Sequence, residues 1–119
     1  MPCLKILTNI PMSKIPRDFV DKIIPVLAKA VNKEEHKFIC VIKGDCYMSF
    51  GGDSSKPSAV STLESIGNLG STENRKIIRE LSAFVKKEIN VDPDRFFLTF
   101  YDLSPRNVGK GGVTIEELI

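Results

Sequence analysis

The chain runs twice through the same succession: an apolar segment of strand length, a longer segment with helical spacing, and a second apolar segment. In the first copy, residues 2–9 put Leu4, Ile6 and Thr8 on one side of an extended chain and Cys3, Lys5 and Leu7 on the other, because successive strand side chains point to opposite faces. Both sides are largely apolar, which places the strand inside a sheet. Pro11, Ser13 and Pro16 mark the turn that follows. Beyond it Phe19, Val20, Ile23, Ile24, Leu27, Ala30 and Val31 recur at helical spacing, with Lys22 and Lys29 on the wet side. Pro25 falls inside this helix; an interior proline removes a backbone donor and costs about 3 kcal/mol, so a kink is expected. Asn32 and Lys33 end the helix, and the polar connection 34–37 leads into residues 38–43, rich in strand-forming side chains.

The second copy begins after a tight turn at Gly44-Asp45, a short segment at 47–50, Gly51-Gly52 and a polar loop at 53–57. Residues 59–66 read as a strand and Gly67-Asn68-Leu69-Gly70 as a turn. The helix after it is expected to start near Ser71 or Thr72, either of which can cap it. Its apolar stripe is Ile77, Ile78, Leu81, Phe84, Val85 and Ile89, and it stops at Asn90. A strand at 95–102, aromatic on both faces, precedes a glycine-rich turn at 106–112 and a short tail. Two consecutive β-α-β units of matching length predict an α/β fold with pseudo-twofold symmetry: one domain, 1–119, with a four-stranded mixed sheet and two helices on one face. The other face of the sheet is apolar and has no element left to cover it, so symmetric self-association is expected.

Composition narrows the function. The net charge is +2, basic residues are scattered, and the phenylalanines lie within apolar runs instead of among lysines. No nucleic-acid footprint follows from that pattern. No run approaches the roughly 18 apolar residues of a membrane span, and no leader precedes the first strand. A soluble, leaderless, cytoplasmic chain is expected. Cys3, Cys40 and Cys46 are odd in number and lack metal or redox spacing, which reads as reduced thiols. His36 lies in a polar connection and reads as solvated. Residues 109–112 lack the spacing of a phosphate loop and read as a flexible rim.

The chain opens with Met1-Pro2 directly before the first strand. Removal of Met1, favoured by the small residue after it, would expose a proline secondary amine. An α-amine normally titrates at about 7.7–8.0; burial and nearby cations lower that value, and a neutral amine can act as a general base. By itself Pro2 reads as a stiffener at the start of a strand rather than as a base, and Lys33 as an exposed lysine suited to a helix carboxy terminus.

Taken in order, Met1-Pro2, Lys33, Ser49-Phe50-Gly51-Gly52, Ser65-Ile66-Gly67, Asn74-Arg75, Pro93-Asp94-Arg95, Tyr101-Asp102 and Asn107-Val108-Gly109 resemble the macrophage migration inhibitory factor and D-dopachrome tautomerase family along the full length. The resemblance implies a homotrimer with a central barrel and active sites between neighbouring subunits. It implies a cofactor-free keto–enol tautomerase acting on phenylpyruvate-like or dopachrome-like acids, with Pro2 as base, Lys33 as carboxylate anchor and the Ile66 amide as a substrate donor. Phe97 and Thr99 fall where a neighbouring subunit of the macrophage-factor branch presents Tyr and Asn, and Phe38 where that branch has Tyr. Lys110 replaces an aromatic residue, nearer to the dopachrome branch. Phe38 and Phe97 read also as packing residues. The Cys-x-x-Cys of some members is Ser58-Ala59-Val60-Ser61 here, so thiol–disulfide activity is not expected. The rival reading is a leaderless cytokine-like ligand of a cell-surface receptor, released non-classically, with a vestigial pocket.

Overall fold

The central strand β1 (Cys3–Thr8) buries Leu4, Ile6 and Thr8 and turns Cys3, Lys5 and Leu7 outward, the alternation expected from its sequence. The structure, a computed structural model, describes residues 1–119. On one side β1 pairs in parallel with β2 (Ile39–Lys43), and on the other antiparallel with β3 (Ala59–Ser65), which pairs in parallel with β4 (Phe96–Asp102). The strand order is β2-β1-β3-β4. Parallel neighbours need a crossover connection, and α1 (Phe19–Val31) and α2 (Ser71–Ile89) supply the two. The sheet is therefore mixed and the pseudo-twofold relation lies between β1 and β3, as the doubled pattern implies.

Both helices cover the same face. Phe19, Ile23 and Leu27 of α1 and Ile77, Leu81 and Val85 of α2 pack with Leu4, Ile6, Ala59 and Leu63 in one buried core. Phe19 and Phe84 meet edge to face at 5.4 Å, and Lys22 Nζ reaches Glu88 Oε1 at 2.8 Å across the helix pair. Both helices end on an asparagine in the left-handed conformation, Asn32 (φ 59°) and Asn90 (φ 56°), whose N–H closes the last turn.

Several local expectations change. α1 continues through Pro25; the carbonyl that loses its donor belongs to exposed Asp21, where water can replace it. Neither Ser71 nor Thr72 caps α2. The cap is Gly70, and Asn74 reaches back so that its Oδ1 accepts the Gly70 N–H at 3.2 Å. Residues 47–50 form no strand, only a bridge from Phe50 to Asp53 across Gly51 and Gly52. Arg95 lies in a single 3-10 turn before β4 instead of within it. The tail contains a small hairpin, β5 (Gly109–Lys110) and β6 (Val113–Thr114), and a last 3-10 turn.

The face away from the helices is bare. Its side chains form three rows in register: Ile39, Cys3, Glu64 and Tyr101; Val41, Lys5, Thr62 and Thr99; Lys43, Leu7, Val60 and Phe97. Ile39, Val41, Leu7, Val60, Phe97 and Tyr101 are all large side chains left more than a third exposed. No helix is long and apolar enough to cross a membrane.

Candidate active site

Lys33 is positioned by the way α1 ends. The turn at Asn32 directs the chain back over the helix, with the Lys33 N–H donating to Ala28 O at 3.1 Å. Asn68 Nδ2 donates to the Val31 and Asn32 carbonyls at 3.0 Å each, which satisfies two carbonyls the helix itself leaves open. Those bonds draw the 65–70 turn against the helix end. Lys33 Nζ then donates to Ile66 O at 2.7 Å. Beside it Ser65 Oγ donates to Gly67 O at 2.8 Å, and Asp102 Oδ1 accepts the Gly67 N–H at 3.0 Å. Gly67 has a φ of +76°, which a side chain would strain.

Pro2 is buried, and its carbonyl accepts the Ile39 N–H at 3.0 Å. This bond extends the β1–β2 ladder by one residue and fixes the start of the chain beside the start of β2. Burial first, and then the charges of Lys33, Lys37 and Lys110, hold the Met1 amine below its ordinary range. Burial and then Lys37 also push the Lys33 ammonium downward, against the opposing pull of Asp102. The same end of the sheet thus gathers the chain's first residues, Lys33, Ile66, Asp102, Lys37 and Lys110.

Phe38 is half-buried and packs against the core. It is extended (φ −93°, ψ 143°) and leads from the 3-10 turn Glu35–Lys37 into β2. Lys37, exposed at the end of that turn, is the residue of this segment whose charge acts on the Met1 amine. Sequence reasoning missed it, because the polar connection 34–37 carries no periodicity that singles it out.

Phe97 and Thr99 lie elsewhere in the chain. Phe97 is in the row of Leu7 and Val60, and Thr99 in that of Lys5 and Thr62. With about 3.3 Å per strand residue, the Phe97 row is roughly 13 Å from the Cys3 end of β1. Both residues are on the bare face, and Phe97 is 56 % exposed. Within one chain the structure joins Pro2, Lys33, Ile66 and Lys110 at one corner and leaves Phe97 and Thr99 outside it.

Fold and corner together define a doubled β-α-β protein with one four-stranded layer and a lysine-rich site at the beginning of its central strand. The chain belongs to the macrophage migration inhibitory factor family: the sequence model described as Macrophage migration inhibitory factor (MIF) matches residues 1–116. The macrophage migration inhibitory factor of Xenopus tropicalis is 35% identical over 114 residues, covering 96% of this chain and 98% of the relative. That of Rattus norvegicus is 32% identical with the same coverage. Among solved structures, the macrophage migration inhibitory factor from Trichinella spiralis superposes with a TM-score of 0.90 at 27% identity, over 94% of this chain and 98% of that one.

Proposed function

We propose that this chain is a cofactor-independent keto–enol tautomerase of phenylpyruvate-like or dopachrome-like acids, with Pro2, freed by removal of Met1, as the general base. The observation that carries this reading is the burial of Pro2 next to the Met1 amine, on which burial and the charges of Lys33, Lys37 and Lys110 converge. Each favours an amine that is neutral near physiological pH. The Pro2 nitrogen accepts a proton from the carbon next to the substrate carbonyl; the C–H pair becomes the C=C bond and the carbonyl oxygen takes up the negative charge. Protonation of that oxygen completes the enol, and the reverse sequence returns the ketone. Lys33 Nζ, already aimed into the corner by Ile66 O, pairs with the substrate carboxylate, and the Ile66 amide donates beside it.

The bare sheet face supports assembly as a homotrimer around a central barrel. In such an assembly Phe97 and Thr99, which cannot reach Pro2 within their own chain, complete a neighbour's site, Phe97 as an aromatic wall and Thr99 as a short donor. Phe38 backs the wall from the core side, and Lys110 forms the rim. A receptor-binding role after release from the cell is the second reading, favoured by the name the relatives carry. The test is phenylpyruvate tautomerisation followed by ultraviolet absorbance, with Pro2→Gly beside the parent chain. Pro2→Gly is expected to lose most of the rate, and full activity in that variant would remove Pro2 from the mechanism.

A further inference from the structure

The end of β4 holds the 65–67 turn by two successive peptide groups. The Leu103 N–H donates to Ser65 O at 2.8 Å, which fixes the peptide between Ser65 and Ile66. That peptide is trans, so its Ile66 N–H points opposite to the Ser65 carbonyl. It is turned away from β4 and toward the beginning of β1, whose Cys3 lies opposite Glu64, and no group in the protein accepts it. The next peptide is held at both ends. Its N–H belongs to Gly67 and donates to Asp102 Oδ1 at 3.0 Å, and its C=O belongs to Ile66 and accepts from Lys33 Nζ at 2.7 Å. One planar group thus stands between a carboxylate and an ammonium, and each bond polarises the group toward the other. Because its N–H and C=O are rigidly opposed, a peptide that swings off Asp102 also swings off Lys33. Lys33 joins none of the chain's ion pairs, so Asp102 reaches it through this peptide instead of by direct contact.

We infer that Asp102 is a positioning residue: through the Ile66–Gly67 peptide it keeps the Ile66 carbonyl on Lys33 Nζ, and so sets where the substrate carboxylate docks. The inference rests on the tautomerase reading for the identity of the reaction, but the linkage from Asp102 to Lys33 does not depend on turnover. Asp102 itself is exposed, so its removal is expected to leave the fold intact.

The test uses protein from which Met1 has been removed, with Asp102→Asn and Asp102→Ala made alone and in combination with Lys33→Met, which deletes the donor. Circular dichroism checks the fold of each. Asparagine keeps a side-chain oxygen for the Gly67 N–H, and alanine removes it. Asp102→Ala is expected to raise KM for phenylpyruvate about fivefold, the scale of one hydrogen bond, with kcat little changed, and Asp102→Asn to recover most of the loss. In the Lys33→Met background Asp102→Ala is expected to add nothing, whereas a residue that merely stabilises the turn would add its full effect. A KM untouched by Asp102→Ala, or an effect of equal size with and without Lys33, overturns the inference. The Lys33 ammonium signal in NMR spectra of the ligand-free protein reads the linkage directly. It is expected to be protected from solvent exchange in the parent and in Asp102→Asn and to lose that protection in Asp102→Ala. If phenylpyruvate is not turned over yet this pattern is found, Asp102 positions Lys33 and the tautomerase reading falls. An ammonium unprotected in the parent, or still protected in Asp102→Ala, overturns the inference whatever the rates.

Discussion

Lys33→Gln separates the two roles that one ammonium plays at this corner. The first is direct. Nζ lies 2.7 Å from Ile66 O, and a substrate carboxylate drawn to the same atom gains a charge-assisted hydrogen bond worth about 1.5–3 kcal/mol. Its loss predicts a fall in kcat/KM of about 10- to 150-fold. The second role is on the base. Burial is the largest cause of the lowered Met1 amine, and Lys33 is the first charge to add to it; a Pro2 amine freed one residue further on would face the same ammonium, so removing that charge is expected to raise its pKa. A raised pKa leaves less neutral amine on the acid side, so the loss is larger at about pH 6 than at about pH 9, above the ordinary amine range. Lys33→Arg keeps the charge and is expected to preserve the acid limb even where its longer fork binds less well. The assay is phenylpyruvate kcat/KM across that range, with circular dichroism as a check that α1 still ends in the same way. Wild-type kcat/KM in Lys33→Gln would refute the anchoring role, and an acid limb that stays in place would refute the electrostatic one.

Two further predictions concern the scaffold. Arg95, whose side chain is 14% exposed, donates to Pro57 O at 3.0 Å, Asp53 O at 2.9 Å and Ser58 Oγ at 2.9 Å, and lies over the Phe50 ring at 5.4 Å. Arg95→Ala is expected to cost about 3 kcal/mol in urea unfolding and to open 50–58 to proteolysis; unchanged stability would mean that the loop holds itself. Val60 lies between Leu7 and Phe97 on the bare face, so if the chain assembles as the proposed trimer, Val60→Glu is expected to yield monomer in sedimentation velocity, and an assembly unchanged by it would place the interface elsewhere.

Periodicity made the architecture readable, because both helices and the two inner strands β1 and β3 bury a clear stripe or face. Leu4, Ile6 and Thr8 are inside and Cys3, Lys5 and Leu7 outside, as alternation requires. The bare face was legible for the same reason: no element remained to cover it. What escaped was set by side-chain bonds across long sequence separations. Arg95 reads as a strand residue until its carbonyl partners in 50–58 are visible, and Asn74 reads as an ordinary residue in the first turn of a helix until it reaches back to Gly70. The 109–114 hairpin was readable in principle. Gly111 and Gly112 lie between the paired residues Lys110 and Val113 with φ of +66° and +82°, the two positive angles a type I′ turn requires.

At the candidate site, Pro2, Lys33 and Ile66 were proposed through the family resemblance, and the structure adds the reason Lys33 points toward Ile66. Lys37 was hidden because the polar segment 34–37 has no periodicity of its own.

The central claim is that a free Pro2 amine is the base. The most direct measurement pairs intact mass with the phenylpyruvate rate for two preparations of the same chain, one with Met1 removed and one with Met1 retained. In the second preparation the Pro2 nitrogen is an amide without a basic lone pair. The account predicts tautomerisation in the first and a loss of about 10²–10⁴-fold in the second, the range of a general base. Equal rates in the two preparations would contradict it.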